Sequence, residues 1–173
     1  MSNYLIKKGN HYASGLHFGV HFGITEQKYK VRFSKECLYQ PLDWENDYNK
    51  LCGWSYGMHH KNSIRVCWRP LFGSESNNRV ISDVAMIELC VYVYENGVRK
   101  ISEKTLVVNA EQYYEFHLKY DTSINTLLLN FPQLGNGISM NYNTKPTCGY
   151  RLYPFFGGNL PSSKDMNIKL DKL

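Results

Sequence analysis

Apolar and polar residues alternate with period two along most of this chain. Leu16, Phe18, Val20, Phe22 and Ile24 interleave with His17, Gly19, His21 and Gly23, which predicts a half-buried strand. The glycines on its second face leave room for another backbone or a ligand to approach. Tyr29, Val31 and Phe33 alternate with Lys28, Lys30 and Arg32, a strand with a solvated basic face. Residues 34–50 break the rhythm with Pro41 and a polar run, and read as a short helix or a long loop carrying Trp44 and Tyr48. Alternation returns over 51–68 in two pieces, and Pro70 ends it because proline donates no amide hydrogen.

Residues 73–79 read as a polar loop. Over 85–94, Ala85, Ile87, Leu89, Val91 and Val93 alternate with Met86, Glu88, Cys90, Tyr92 and Tyr94. Asn96-Gly97 then separates this run from 98–101, a hairpin signal because both turn residues accept positive φ. Further short strands are expected at 106–108, 113–120, 126–131, 149–156 and 166–170, with 134–146 as a glycine-containing loop and polar segment. About ten short strands, no amphipathic helix and no repeat predict an antiparallel β-sandwich of jelly-roll type. The expected unit is one domain, 1–173, with 1–14 an edge strand or arm.

Composition refines this only slightly. Hydrophobic residues at 43% and charged residues at 20% describe an ordinary globular chain. Fourteen tyrosines favour strands, and also offer rings and hydroxyls to a ligand. The net charge of +5 lacks the clustered stripe of a protein that binds long nucleic acid. Five widely spaced cysteines without a CxxC pair argue against a disulfide scaffold or zinc knuckle. The first residues lack the apolar core of a signal peptide and no run reaches membrane-spanning length, so a cytoplasmic protein without membrane contact is expected.

The window richest in chemistry is 58–70, Met-His-His-Lys-Asn-Ser-Ile-Arg-Val-Cys-Trp-Arg-Pro. Extended from His59, it places His59, Lys61, Ser63, Arg65, Cys67 and Arg69 on one face at spacings of about 6.5–7 Å. Guanidinium forks match phosphate and carboxylate oxygens, so Arg65 and Arg69 with Lys61 form a cationic face. Pairing of the arginines with Glu88 or Asp83 is the structural alternative. His60 and Asn62 stand at the strand's entry. A second window, 149–161, holds Arg151, Tyr153, Phe155 and Phe156 beside Gly157-Gly158, an aromatic wall on which a base can stack. Binding residues are therefore expected at His59, His60, Lys61, Asn62, Ser63, Arg65, Arg69, Arg151, Tyr153 and Phe155. His17 and His21 lie roughly 13 Å apart on a strand, too far for one zinc. No metal, cofactor or catalytic residue is assigned, because HExxH, GxSxG, Walker and GxGxxG patterns are missing.

These two windows resemble small β-sandwich proteins of phages and bacteria, among them nucleotide-sequestering sponges that blunt antiphage signalling. That resemblance implies capture without turnover of a cyclic oligonucleotide, a small anionic ligand, by a homo-oligomer in the host cytoplasm. Two alternatives stand beside it. One is a glycan-binding jelly roll with Trp68, Tyr92 and Tyr94 stacking on sugar rings. The other is a metal-free phosphodiesterase using His59 or His60.

Overall fold

A computed structural model describes residues 2–39, 47–71, 85–157 and 160–173. They form an antiparallel jelly-roll sandwich of thirteen strands, three more than the sequence pattern predicts. One sheet has six strands in the order β1-β13-β3-β9-β10-β11. These are β1 (Ser2–Ile6), β3 (Glu26–Phe33), β9 (Tyr114–Asp121), β10 (Thr126–Phe131), β11 (Asn136–Asn141) and β13 (Met166–Lys172). The other runs β2-β12-β4-β5-β6-β7, with β8 also pairing β6. Its strands are β2 (Val20–Phe22), β4 (Asn49–Ser55), β5 (Ser63–Pro70), β6 (Met86–Glu95), β7 (Val98–Ile101), β8 (Leu106–Asn109) and β12 (Cys148–Leu152). Trp44 and the polar stretch 73–79 lie outside the described residues, as do Asp83 and Gly158. Among the described residues no helix is long and apolar enough to cross a membrane.

The core lies between the sheets. Ile64, Val66 and Trp68 of β5 and Ile87, Leu89, Val91 and Val93 of β6 point inward, fully buried. Val31 and Phe33 of β3 and Leu127, Leu129 and Phe131 of β10 meet them. Trp68 packs against Phe33 with ring centroids 5.2 Å apart. Burying a tryptophan removes roughly 150–250 Å² from water, contributing about 4–6 kcal/mol before entropy is charged. The expected hairpin forms between β6 and β7, with Asn96 at φ 51 and Gly97 at φ 83, the double positive φ of a type I′ turn. The basic face of β3 is solvated and paired: Lys30 bridges Glu115 and Arg32 bridges Glu111.

Three expectations need correcting. The strand expected from His59 begins at Ser63, because 57–62 is a turn closed by Lys61 N–H and Asn62 N–H donating to the Met58 carbonyl. Residues 136–141 are a strand, β11, where the sequence pattern predicts loop. It is the edge of the six-stranded sheet, and among its residues only Ile138 is fully buried, so no alternation marks it. Residues 16–22 alternate as expected but face the other way. His21 is buried and Leu16, Phe18, Val20 and Phe22 are exposed. The cause is steric and polar: a Cβ on Gly19 would stand 2.9 Å from Arg151 Cδ, and His21 Nε2 lies 2.9 Å from the Ser55 carbonyl. Only the imidazole–glycine row fits against β12.

Two glycines let β12, β4 and β5 approach closely. A Cβ at Gly149 would sit 2.0 Å from the Ser55 carbonyl oxygen, and one at Gly53, φ +152, 2.0 Å from that of Ile64. Gly53→Ala is therefore expected to destabilise the fold by about 3 kcal/mol or more, read as a lowered denaturant midpoint with unchanged slope. A change under about 1 kcal/mol would show that β4 has room to shift.

Candidate functional site

Register places the outward-facing residues of the seven-stranded sheet in rows. Leu152, Gly53, Arg65 and Tyr92 lie across β12, β4, β5 and β6. The neighbouring row is Tyr150, Ser55, Ser63 and Tyr94, with Tyr150 N–H donating to Ser55 Oγ at 3.1 Å. The middle of this face thus has a floor of small residues (Gly53, Ser55, Ser63) and one long cation. Around it runs an arc of rings. Tyr150 to His59 is 5.8 Å between centroids, His59 to His60 4.0 Å, His60 to Tyr94 5.5 Å and Tyr94 to Tyr92 5.6 Å. The turn at 57–62 carries both histidines over the floor.

Arg65 is unusual among these groups. Only 9% of it is exposed, yet among the described residues no carboxylate pairs with it and its Nε–H has no acceptor. Ser63 Oγ beside it is fully buried and equally unpartnered. A buried charge without a counter-charge or acceptor is costly. Arg65 Nε–H and Ser63 Oγ are thus buried polar groups left without partners beside the aromatic arc.

The electrostatics of the arc follow from burial first and from Arg65 second. Burial lowers the His59 pKa first, and the charges of Arg65 and His60 push it further, to about 4. His59 is therefore neutral at physiological pH, with Nδ1 hydrogen-bonded to the Tyr150 hydroxyl. A general acid needs a pKa near the working pH, so His59 does not suit the acid role of a two-imidazole phosphodiesterase. Burial likewise raises the Tyr92 pKa, and that phenol stays protonated. Among the described residues, no three His, Cys, Asp or Glu side chains converge as metal ligands.

The residues expected to bind are divided among several places. His59, His60, Ser63 and Arg65 come together as described. Lys61 is exposed at the tip of the turn. Asn62 works as a latch, its Oδ1 accepting from Asn96 N–H at 2.9 Å and Thr144 Oγ1 at 3.4 Å. Arg69, at the far end of β5, is occupied: Glu88 takes its Nε–H and Tyr48 covers its guanidinium at 4.3 Å. Arg151 and Tyr153 have the opposite parity from Tyr150 and line a separate hollow of about 320 Å³ with Tyr4, Tyr29 and Lys172. Phe155 bridges to Lys50, whose ammonium lies 5.9 Å from the ring and donates to the Gly157 carbonyl. Trp68 is wholly in the core and offers no sugar platform. Sequence reasoning misses Tyr150. Its alternation with Arg151 is a signal, but only register shows which of the two faces the histidines.

No family model and no curated protein matches this chain. Solved structures are similar at low identity. A toad ovary galectin in complex with thio-digalactose is 8% identical, covering 91% of this chain and 100% of its own, with a TM-score of 0.43. Galectin-Ib of Xenopus laevis is 10% identical over 90% of this chain and 100% of its own, TM-score 0.42. The carbohydrate-binding module CBM66 of Bacillus subtilis is 6% identical over 96% of this chain and 81% of its own, TM-score 0.42.

The expectation of a cyclic-oligonucleotide sponge is corrected. The cationic array on which that expectation rested is not assembled, since Arg69 is neutralised and Arg151 is elsewhere.

His59 also sets a pH response. The unfolded chain takes up this proton near pH 6.5, the folded chain only near pH 4. Stability from this group is complete above about pH 6.5 and falls as pH drops toward 4, because the unfolded state then binds more protons. Imidazole chemical shifts followed from pH 8 to 3.5 should leave His59 neutral until the lower end. Titration near 6.5 in the folded protein would contradict the burial and charge described.

Proposed function

We propose that this chain is a non-catalytic glycan-binding jelly-roll module that holds a sugar against the outer face of its seven-stranded sheet. The observation that carries this is the buried, unpartnered Arg65 beside the small floor residues, enclosed by the rings of Tyr150, His59, His60, Tyr94 and Tyr92. A sugar ring offers two kinds of surface. Its hydroxyls accept from a guanidinium fork and exchange hydrogen bonds with a serine. Its C–H face packs on aromatic rings, whose faces are electron-rich. Both partners stand within one patch here. Tyr94, half-buried at the rim, is the ring best placed to serve as the platform.

Screening on a glycan array followed by calorimetry tests this reading. Binding is expected to be insensitive to salt for a neutral sugar, since no counterions are released. Tyr94→Ala should weaken it about tenfold or more, equivalent to about 1.4 kcal/mol. Arg65→Met should abolish binding while leaving stability equal or higher by ~1–2 kcal/mol, because it removes an uncompensated buried charge. Arg69→Met, which breaks an existing ion pair, should cost stability and spare binding. A folded protein that binds no glycan on the array, or an Arg65→Met variant that binds normally, would overturn the proposal.

A further inference from the structure

The exposed apolar row at 16–22 runs along one edge of the seven-stranded sheet, with Val20 opposite Tyr150 in register, and that edge is unguarded. β2 is the outermost strand of its sheet. Natural sheets blunt such edges with charge, proline or bulges. At the other end of this sheet, β7 does so with Arg99 and Lys100. From Ser14 to Thr25 there is neither a formal charge nor a proline. Leu16, Phe18, Val20 and Phe22 are 96%, 73%, 54% and 84% exposed.

Backbone parity leaves this edge open for pairing. Arg151 N–H donates to the Gly19 carbonyl and Gly23 N–H to the Thr147 carbonyl. Odd-numbered residues therefore turn their backbone groups toward β12. The N–H and C=O groups of Val20 and Phe22, of opposite parity, point away from the sheet.

The sequence of that edge is its own complement. Phe18-Gly19-Val20-His21-Phe22 reads Phe-x-Val-x-Phe in either direction. Antiparallel pairing with an identical strand about a two-fold axis at Val20 sets Val20 against Val20 and Phe18 against Phe22 of the second copy. These are hydrogen-bonded pairs of the correct parity, and all their side chains fall on one face. A two-fold contact requires such self-complementarity, which an unrelated partner does not. Gly23, at φ +58, turns the chain away and ends the pairing at Phe22.

We propose that β2 is a homodimer interface, joining the two seven-stranded sheets edge to edge across Val20. Phe18, Val20 and Phe22 are exposed, but edge-to-edge pairing covers only their flanks, so the contact falls below the roughly 1,000 Å² of stable specific interfaces. The dimer should therefore be reversible and concentration-dependent. The proposal is independent of the sugar reading.

Sedimentation velocity of the full chain from about 1 to 200 µM, a range that spans weak to moderate association, tests it. A monomer–dimer shift is expected, and Val20→Lys, an exposed position, should hold the protein monomeric with unchanged circular dichroism. A second variant avoids dependence on that one. Val20→Cys in a Cys148→Ser background should form an intermolecular disulfide under mild oxidation, since hydrogen-bonded antiparallel pairs place Cα atoms about 5.5 Å apart. Two results would overturn the proposal. One is a wild type that stays monomeric throughout; the other is a dimer that persists in Val20→Lys while the Val20→Cys variant fails to crosslink.

Discussion

The docking of β5 between two neighbours and against the opposing sheet constrains everything else on the seven-stranded sheet. Once Ile64, Val66 and Trp68 are committed to the core, parity sends Ser63, Arg65, Cys67 and Arg69 to the outer face. Register then decides what surrounds each of them. Arg69 meets Glu88 and is neutralised, while Arg65 meets Gly53 and Tyr92 and is not. Two arginines four residues apart on one strand thus become a structural ion pair and a buried cation without a counter-charge among the described residues. The difference lies wholly in cross-strand neighbours.

The same logic explains how an aromatic-rich chain gathers buried polar groups on the outer side of a sheet. Large rings take the flanks, and the small residues Gly53, Ser55 and Ser63 take the middle of the face, where they are buried. The 57–62 turn completes the arrangement by folding His59 and His60 over the floor, held down by the Asn62 latch to the hairpin turn and by Tyr150. The low His59 pKa follows from this closure, and it keeps a second positive charge from building beside Arg65.

Much of this is legible in the alternation. The sandwich, the Asn96-Gly97 hairpin, the inward row of β6 and the solvated basic face of β3 follow from period and turn chemistry. The site is legible in part. His59, His60, Ser63 and Arg65 sit in one dense window, and their clustering shows in sequence. Tyr150 does not stand out, because its face depends on the register of β12 against β4 and not on its own neighbours. Asn62 and Arg69 mislead for a related reason: their partners Asn96 and Glu88 lie 34 and 19 residues away. The row at 16–22 shows the limit most clearly. Alternation reveals that two faces differ, but hydrogen bonding of His21 and the missing Cβ of Gly19 decide which face goes inward.

The central claim is that the outer face around Arg65 is where a sugar rests. Amide and side-chain chemical-shift mapping during titration with a glycan selected from an array tests it most directly. Perturbations should concentrate at Ser63, Arg65, Tyr92, Tyr94, Tyr150 and the 57–62 turn, with the Arg65 Nε–H resonance moving most. Perturbations centred on the six-stranded sheet or on the Arg151–Tyr153 hollow, with Arg65 unmoved, would contradict it.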